Sequence, residues 1–350
     1  VERSDVFINT AFRFNKTQVY YGFNENDIAV NNQPISVIGV QQDFKFPTVY
    51  FSEKKVNKAE CGMATSSYLI EKKAIERNVT AAYYQYQIAK EKEMLYQNLD
   101  SLYASFSNIA ARKFELGETK YLEKIIAASK QKQNNIEFSE VQQEVNLAHE
   151  NLLQLIQTDD SLIMADEDML KVFLNKELIE GSPEIEFYQN RVSLLQAKRR
   201  FEKQQLLPDI SLNYFQGSNP GLNENLQGYQ VGLKIPILFG AQSSRIKASK
   251  LAEGIAVAEY NEYETRLNSK LKVLKLQLTQ LQGALNYYEN EGEMLSEEIL
   301  KTAKGSFKNG EIDFYQYILS LENAYDIKLD YLNKLNEYNQ TIIAINFLTL

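Results

Sequence analysis

A chain of 350 residues with a formal net charge of −8, whose Lys and Arg are scattered along its length, presents no clustered basic face, so nucleic acid is excluded as a partner. One cysteine, Cys61, and one histidine, His149, exclude an internal disulfide and give no zinc or haem spacing. They also leave no Cys–His or His-based catalytic set, and with no Gly-rich phosphate loop neither an enzyme nor a cofactor is expected.

No run of about 18 apolar residues occurs, which excludes a transmembrane helix but not a β-barrel, whose signal per strand is weaker. In chain order, Val1 to about Phe12 reads as the last turns of a helix. A period of two follows, with Thr17, Val19, Tyr21 and Phe23 set against Lys16, Gln18, Tyr20 and Gly22. After the link Asn24–Pro34, Ile38, Val40, Phe44 and Phe46 alternate with Val37, Gly39, Gln41, Asp43 and Lys45. This predicts a β-hairpin over about 16–47.

From Pro47 to Gly117 the sequence reads as one helical arm of 70 residues, roughly 100 Å at 1.5 Å per residue. Leu95, Leu99, Leu102, Phe106 and Ile109 form a heptad seam on it; Phe138, Val141, Val145, Ala148, Leu152 and Leu155 form another on a return arm that stops near Thr158. An irregular joint is expected at about 159–181. Its acidic stretch lacks a calcium-loop spacing, and Met164 and Met169 are read as packing residues.

A second helical segment covers Ser182 to Leu207. Ile210, Leu212 and Tyr214 then alternate with Asp209, Ser211 and Asn213, and Tyr229, Val231, Leu233 and Ile235 alternate with Gln230, Gly232 and Lys234. The link Ser218–Asn225 is a turn by composition, so a second hairpin is predicted over about 208–236. A second arm of 74 residues runs from Pro236 to Gly310, with its seam at Leu267, Leu271, Leu274, Leu278, Leu281, Leu285 and Tyr288, resuming at Leu295 and Ile299.

The stretch FELGETKYLEKII (Phe114–Ile126) returns as FKNGEIDFYQYIL (Phe307–Leu319) at an offset of 193. Two tandem repeats are therefore expected, 1–158 and 182–350, around the joint at 159–181. Gly117 and Gly310 suit left-handed helix C-caps. The return from Gly310 to Leu350 lacks an upper stage, and a closed ring would draw that stage from a further helix ahead of Val1.

Four strands cannot close around water, since about eight is the minimum. A lipid-facing exterior and a watery interior therefore require several copies. Val19, Tyr21, Ile38, Val40, Ile210, Leu212, Val231 and Leu233 would then face lipid, and Lys16, Gln18, Gln41, Asp43, Gln230 and Lys234 the lumen. Tyr20, Tyr21, Tyr50, Phe51, Tyr214, Phe215 and Tyr229 would suit an interfacial aromatic girdle.

This order of helix, LPDISL-type strand entry, hairpin, Pro stop, long arm, F-x-x-G-E turn and return arm resembles the TolC-like outer-membrane efflux channels over about residues 12–350. NENDIAVNNQP (Asn24–Pro34) and FKFPTVYFSEKK (Phe44–Lys55) are most similar to the metal-efflux, CusC-like group, including members fused to a pump. The resemblance implies a mainly α fold with a β-barrel portion, in which a trimer forms a twelve-stranded β-barrel in the outer membrane above an α-helical barrel in the periplasm. It implies a passive exit duct for heavy-metal cations, fed by an RND-type inner-membrane pump through a periplasmic adaptor on the helical tips.

At the tips and entrance it marks Gly117, Glu118, Glu123, Gly310, Glu311, Asp313 and Gln316. The family's entrance aspartates fall here on Gln316 and Leu319, so that gate is not carried over. The carboxylates of Glu118, Glu123, Glu311 and Asp313 either line the mouth, where threefold repetition would attract cations, or serve the next helix N-terminus. The alternatives are a soluble coiled-coil adaptor or scaffold, and the same duct serving drugs or a secreted protein.

Overall fold

The computed structural model describes residues 1–25, 33–158, 171–175, 182–222 and 226–349. Most of the Asn24–Pro34 link, most of the joint at 159–181 with Met164 and Met169, and the end of the Ser218–Asn225 turn lie outside the described residues. The chain is mostly helical with one antiparallel sheet. Its elements are α1 (Glu2–Ile8), a 3₁₀ turn (Asn9–Phe12), β1 (Gln18–Asn24), β2 (Ile35–Phe44), α2 (Pro47–Glu115), α3 (Tyr121–Ile156), α4 (Pro183–Gln204), β3 (Asp209–Ser218), β4 (Leu226–Lys234), α5 (Gly240–Tyr287), a π turn (Tyr288–Gly292), α6 (Glu293–Lys308) and α7 (Phe314–Thr349).

The offset of 193 runs through the helices. Pro47 and Gly240 open the long arms, Glu115 and Lys308 close them, Tyr121 and Phe314 open the returns, and each pair is 193 residues apart. Both return helices have 36 residues. The second arm thus begins at Gly240 rather than at Pro236. The strand ends at Lys234, and Pro236 with the next three residues stays outside the helix, so the segment between strand and helix is longer in the second repeat than in the first.

The described chain divides into two units. The first, Val1–Ile70 with Pro183–Arg266, holds the sheet, whose order is β1-β2-β3-β4 and whose neighbours are all antiparallel. Its helical part is laced by ion pairs, Arg191 with Glu259 (2.8 Å) and Arg199 with Glu253 (2.9 Å), and by the Asn190 amide donating to Ser66 Oγ (2.8 Å) beside Gly62.

The second unit, Glu71–Ser182 with Leu267–Leu350, contains the coiled-coil seams. Leu278, Leu281 and Leu285 interlock with Leu335, Tyr338, Ile342 and Ile345. Beyond Leu285 the expected resumption at Leu295 fails. The π turn inserts one residue, so Gly292 and Ser296 take the inward positions, Leu295 stands exposed, and the Ser296 hydroxyl donates to the Ala324 carbonyl at 2.9 Å. Ile109 is likewise exposed, and Ala110 takes its place against the core.

Residues 171–175 lie along α7 as a strap held by side-chain amides. Asn339 Oδ1 accepts from the Val172 N–H (2.9 Å), and Asn346 both accepts from the Asn175 N–H (3.0 Å) and donates to the Phe173 carbonyl (3.1 Å). Lys171 pairs with Glu289 of the π turn (2.8 Å) and lies over the Tyr338 ring. Asn339 is fully buried, and the strap satisfies its Oδ1, so losing the strap would take that partner from the oxygen. His149 is half-buried against Tyr86, as a packing residue would be.

Candidate functional site

Two places carry the residues singled out in the sequence: the paired helical turns in the second unit and the sheet in the first. At the turns, Gly117 and Gly310 have φ of 75° and 74°, a region that costs other L-residues but not glycine. The Gly117 N–H donates to Phe114 and the Glu118 N–H to Lys113; the Gly310 N–H donates to Phe307 and the Glu311 N–H to Ser306. Each pair is a Schellman cap, repeated 193 residues later.

The turns converge. A cavity of about 430 Å³ is lined by Lys113, Gly117, Glu118, Glu123, Phe307, Gly310, Asp313 and Phe314 among others. Beneath it Phe106 meets Phe307 (6.1 Å), Phe314 (6.1 Å) and Tyr317 (4.8 Å), with Leu99, Tyr103, Ile318 and Leu321 buried in the same cluster. Burial pushes the Tyr103 hydroxyl well above its ordinary range and raises that of Tyr317, so both favour the neutral form.

The acidic residues of the turns are tied locally. Asp313 and Gln316 form a reciprocal capping box at the start of α7: the Gln316 N–H donates to Asp313 Oδ1 (2.8 Å) and the Asp313 N–H to Gln316 Oε1 (3.0 Å). Glu311 accepts from Ser306 (2.8 Å) and Asn309 (3.3 Å), and Glu123 accepts from Thr119. Of the four carboxylates, Glu118 alone forms no such side-chain bond among the described residues. Exposed apolar side chains also stand here, Leu116, Tyr121, Leu122 and Ile125 on one turn and Tyr315 and Leu319 on the other, among exposed charged residues such as Lys113, Glu118, Lys120, Lys308 and Glu311. Apart from Leu319, at one of the family's entrance positions, sequence reasoning names none of these, because they lie outside the heptad seams and around the glycine turns, where the glycines and carboxylates stand out.

In the sheet the register sorts side chains into rows. Gln18, Gln41, Asn213 and Gln230 stand opposite one another across all four strands, two residues from the row Tyr20, Gly39, Phe215, Gly228. Asp43 and Lys234 share this face and form an ion pair, and the Gln41 amide donates to Asp43 and Ser211 (3.2 Å each). The Tyr20 hydroxyl bonds to the Asn213 amide at 3.0–3.1 Å. Lys16 precedes β1 and is therefore not on the sheet, because pairing begins only at Gln18.

The opposite face carries Val19, Val40, Tyr214 and Tyr229 in one row, Leu212 and Val231 in the next, and Ile210 with Leu233 beyond, while Tyr21 and Ile38 lie towards the links. All but Ile210 are exposed, from 43% for Val40 to 85% for Tyr229, whereas on the polar face Gln41, Asp43, Ser211 and Asn213 of the two inner strands are intermediate and Gln18, Gln230 and Lys234 of the edge strands are exposed. This inverts the ordinary rule that apolar side chains are the covered ones. Three of the seven girdle aromatics fall elsewhere: Tyr50 is buried against Phe12 and Phe14, and Tyr20 and Phe215 lie on the polar face over glycines.

Among the described residues no helix is long and apolar enough to cross a membrane, and no group of three His, Cys, Asp or Glu is placed to hold a metal ion. No protein-family model and no curated protein matches the sequence. Solved structures do. CusC, whose crystal structures concern folding and transmembrane channel formation, is 11% identical with a TM-score of 0.81 over 99% of this chain and 86% of its own. A membrane protein from Pseudomonas aeruginosa is 14% identical with a TM-score of 0.80 over 100% and 88% of the two chains. The Campylobacter jejuni CmeC outer membrane channel is 13% identical with a TM-score of 0.74 over 99% and 80%. At these identities the likeness establishes the fold, which is the one these outer-membrane channels share.

Proposed function

We propose that this chain is one of three copies that close a twelve-stranded β-barrel in an outer membrane and act as a passive exit duct. The observation that carries the reading is the inverted sheet. Each large apolar side chain kept from water is worth about 1.5–3 kcal/mol, and nine stand exposed on one face while the amides and the Asp43–Lys234 pair line the other. Lipid outside and water inside satisfies both faces. The free edges of β1 and β4 pair on one side only, and joining β4 of one copy to β1 of the next removes both edges.

In this reading Gln18, Gln41, Asp43, Gln230 and Lys234 line the lumen, and Val19, Tyr21, Ile38, Val40, Ile210, Leu212, Val231 and Leu233 meet lipid. The paired turns at Gly117 and Gly310 receive a periplasmic adaptor, with Leu116, Tyr121 and Leu122 as apolar contacts, and an RND-type pump supplies the cargo. Heavy-metal cations are the cargo favoured by the resemblance of Asn24–Pro34 and Phe44–Lys55 to the metal-efflux group. The wall is tested by single cysteines in a Cys61→Ser background, in intact membranes. Gln230→Cys should react with a charged maleimide and Val231→Cys should not; equal reactivity contradicts the two-faced wall.

A further inference from the structure

The second repeat departs from the first between strand and helix. Two residues separate β2 from α2, whereas five, Ile235–Phe239, separate β4 from α5. All are uncharged, and no charged residue occurs until Arg245. Ile237 is 82% and Leu238 90% exposed, and Leu238 is the most exposed of the large hydrophobics among the described residues. Ile235 and Ile237 continue the series Tyr229, Val231, Leu233 that makes up the apolar side of β4.

The height of the apolar face on β2 to β4 favours this continuation. From Ile38 to Phe44 it spans six residues, about 20 Å along the strand. With the 35–45° tilt of barrel strands that becomes about 15 Å, against a lipid-facing band of about 25 Å. Above Val40 and Tyr214 the rows stay apolar on β1, at Tyr21 and Phe23, but carry Gln216, Gln227, Ser36 and Ser218 on the other strands, so β3 and β4 add no apolar height at that end. Ile235–Phe239 lies outside the strand, and if extended the four residues from Leu233 to Ile237 would add about 10 Å after tilt.

The first repeat reaches the same level differently. Phe14 packs edge-on against Phe44 and Tyr50 (5.6 Å each), and Phe12 meets Phe51 at 5.8 Å, leaving Phe12, Phe14 and Phe51 exposed. Aromatic rings are favoured where bilayer meets water.

We infer that Ile235–Phe239 is a lipid-contact foot, which lies against the acyl and headgroup boundary of the bilayer and completes the apolar band on the side from which α5 departs. This rests on the barrel reading above, and the two can fail separately. The chain has no tryptophan, so one introduced Trp is an isolated reporter. The full chain carrying Leu238→Trp or Val231→Trp is reconstituted into phosphatidylcholine vesicles with and without bromine on the acyl chains.

Emission from both variants is expected to shift to the blue and to be quenched by the brominated lipid, with Leu238→Trp reporting the shallower depth. Quenching at position 231 but not at 238 overturns the foot and leaves the wall. Absence of quenching at 231, whatever 238 does, overturns the wall and the foot with it.

Discussion

The ring of Tyr20 lies over Gly39 on the neighbouring strand, so close that a Cβ built on the glycine would fall 2.4 Å from the ring carbon Cζ. Phe215 covers Gly228 in the same way, with the nearest ring atom at 2.5 Å. Both rings therefore lie flat on the face that also bears Gln41, Asp43 and Asn213. An aromatic ring over a sheet glycine restores packing that the glycine lacks.

The first prediction concerns this pair. Gly39→Ala must displace the Tyr20 ring and its bond to Asn213, a cost of about 1–3 kcal/mol in thermal unfolding of the detergent-extracted protein. In a Tyr20→Ala background the same change should cost far less. Equal costs in the two backgrounds would contradict the contact.

The turn glycines have open space around the position of a Cβ, so their requirement is conformational rather than steric. Gly310→Val should lose about 1–2 kcal/mol of local stability, from the left-handed backbone alone. Gly310→Asn, which tolerates that region, should lose less. Native-state hydrogen exchange at Ser306 to Asp313 reads the difference, and insertion into membranes should be unchanged in both.

Removal of the capping box by Asp313→Ala should destabilise α7 by about 0.5–2 kcal/mol. Gln316→Ala in the same chain should add less than its separate cost, because the two side chains serve each other's N–H groups. A double-mutant cycle on the unfolding midpoint gives the coupling. Strict additivity would show that the two bonds are independent.

Asp326 lies on α7 beside Glu322 and Asp330, with Glu322 partly neutralised by Lys130 at 2.6 Å. Desolvation, and then the two neighbouring carboxylates, raise the Asp326 carboxyl above its ordinary 3.8. The folded state thus holds this proton more tightly than the unfolded one, so stability falls as pH rises from 3.8 through the raised value, and the penalty is complete above it. Asp326→Asn should therefore raise Tm at neutral pH and bring no gain below about pH 3.8. A pH-independent gain would assign the effect to packing.

Much of this fold is legible in the sequence, for identifiable reasons. Period-two alternation marks β1 to β4 because a two-faced sheet permits no other pattern, and the repeated Phe-x-x-Gly-Glu marks both turns because only glycine sits easily at φ near 75°. The π turn at Tyr288–Gly292 escapes a heptad reading, since one added residue changes which side faces inward without changing composition. The start of α5 at Gly240 escapes because Pro236 follows a strand without opening a helix. Nothing in the sequence marks Asn339 and Asn346, and only the strap at 171–175 reveals their partners. At the turns, Asp313 and Gln316 were legible as polar residues after a glycine, but their mutual bonds depend on side-chain geometry.

The central claim, that copies of this chain close one barrel, is tested most directly by the mass of the detergent-extracted protein in native mass spectrometry. Three chains of 40.3 kDa held together only in detergent are the predicted result. A monomer or dimer that stays in solution without detergent would contradict it and would favour a coiled-coil scaffold.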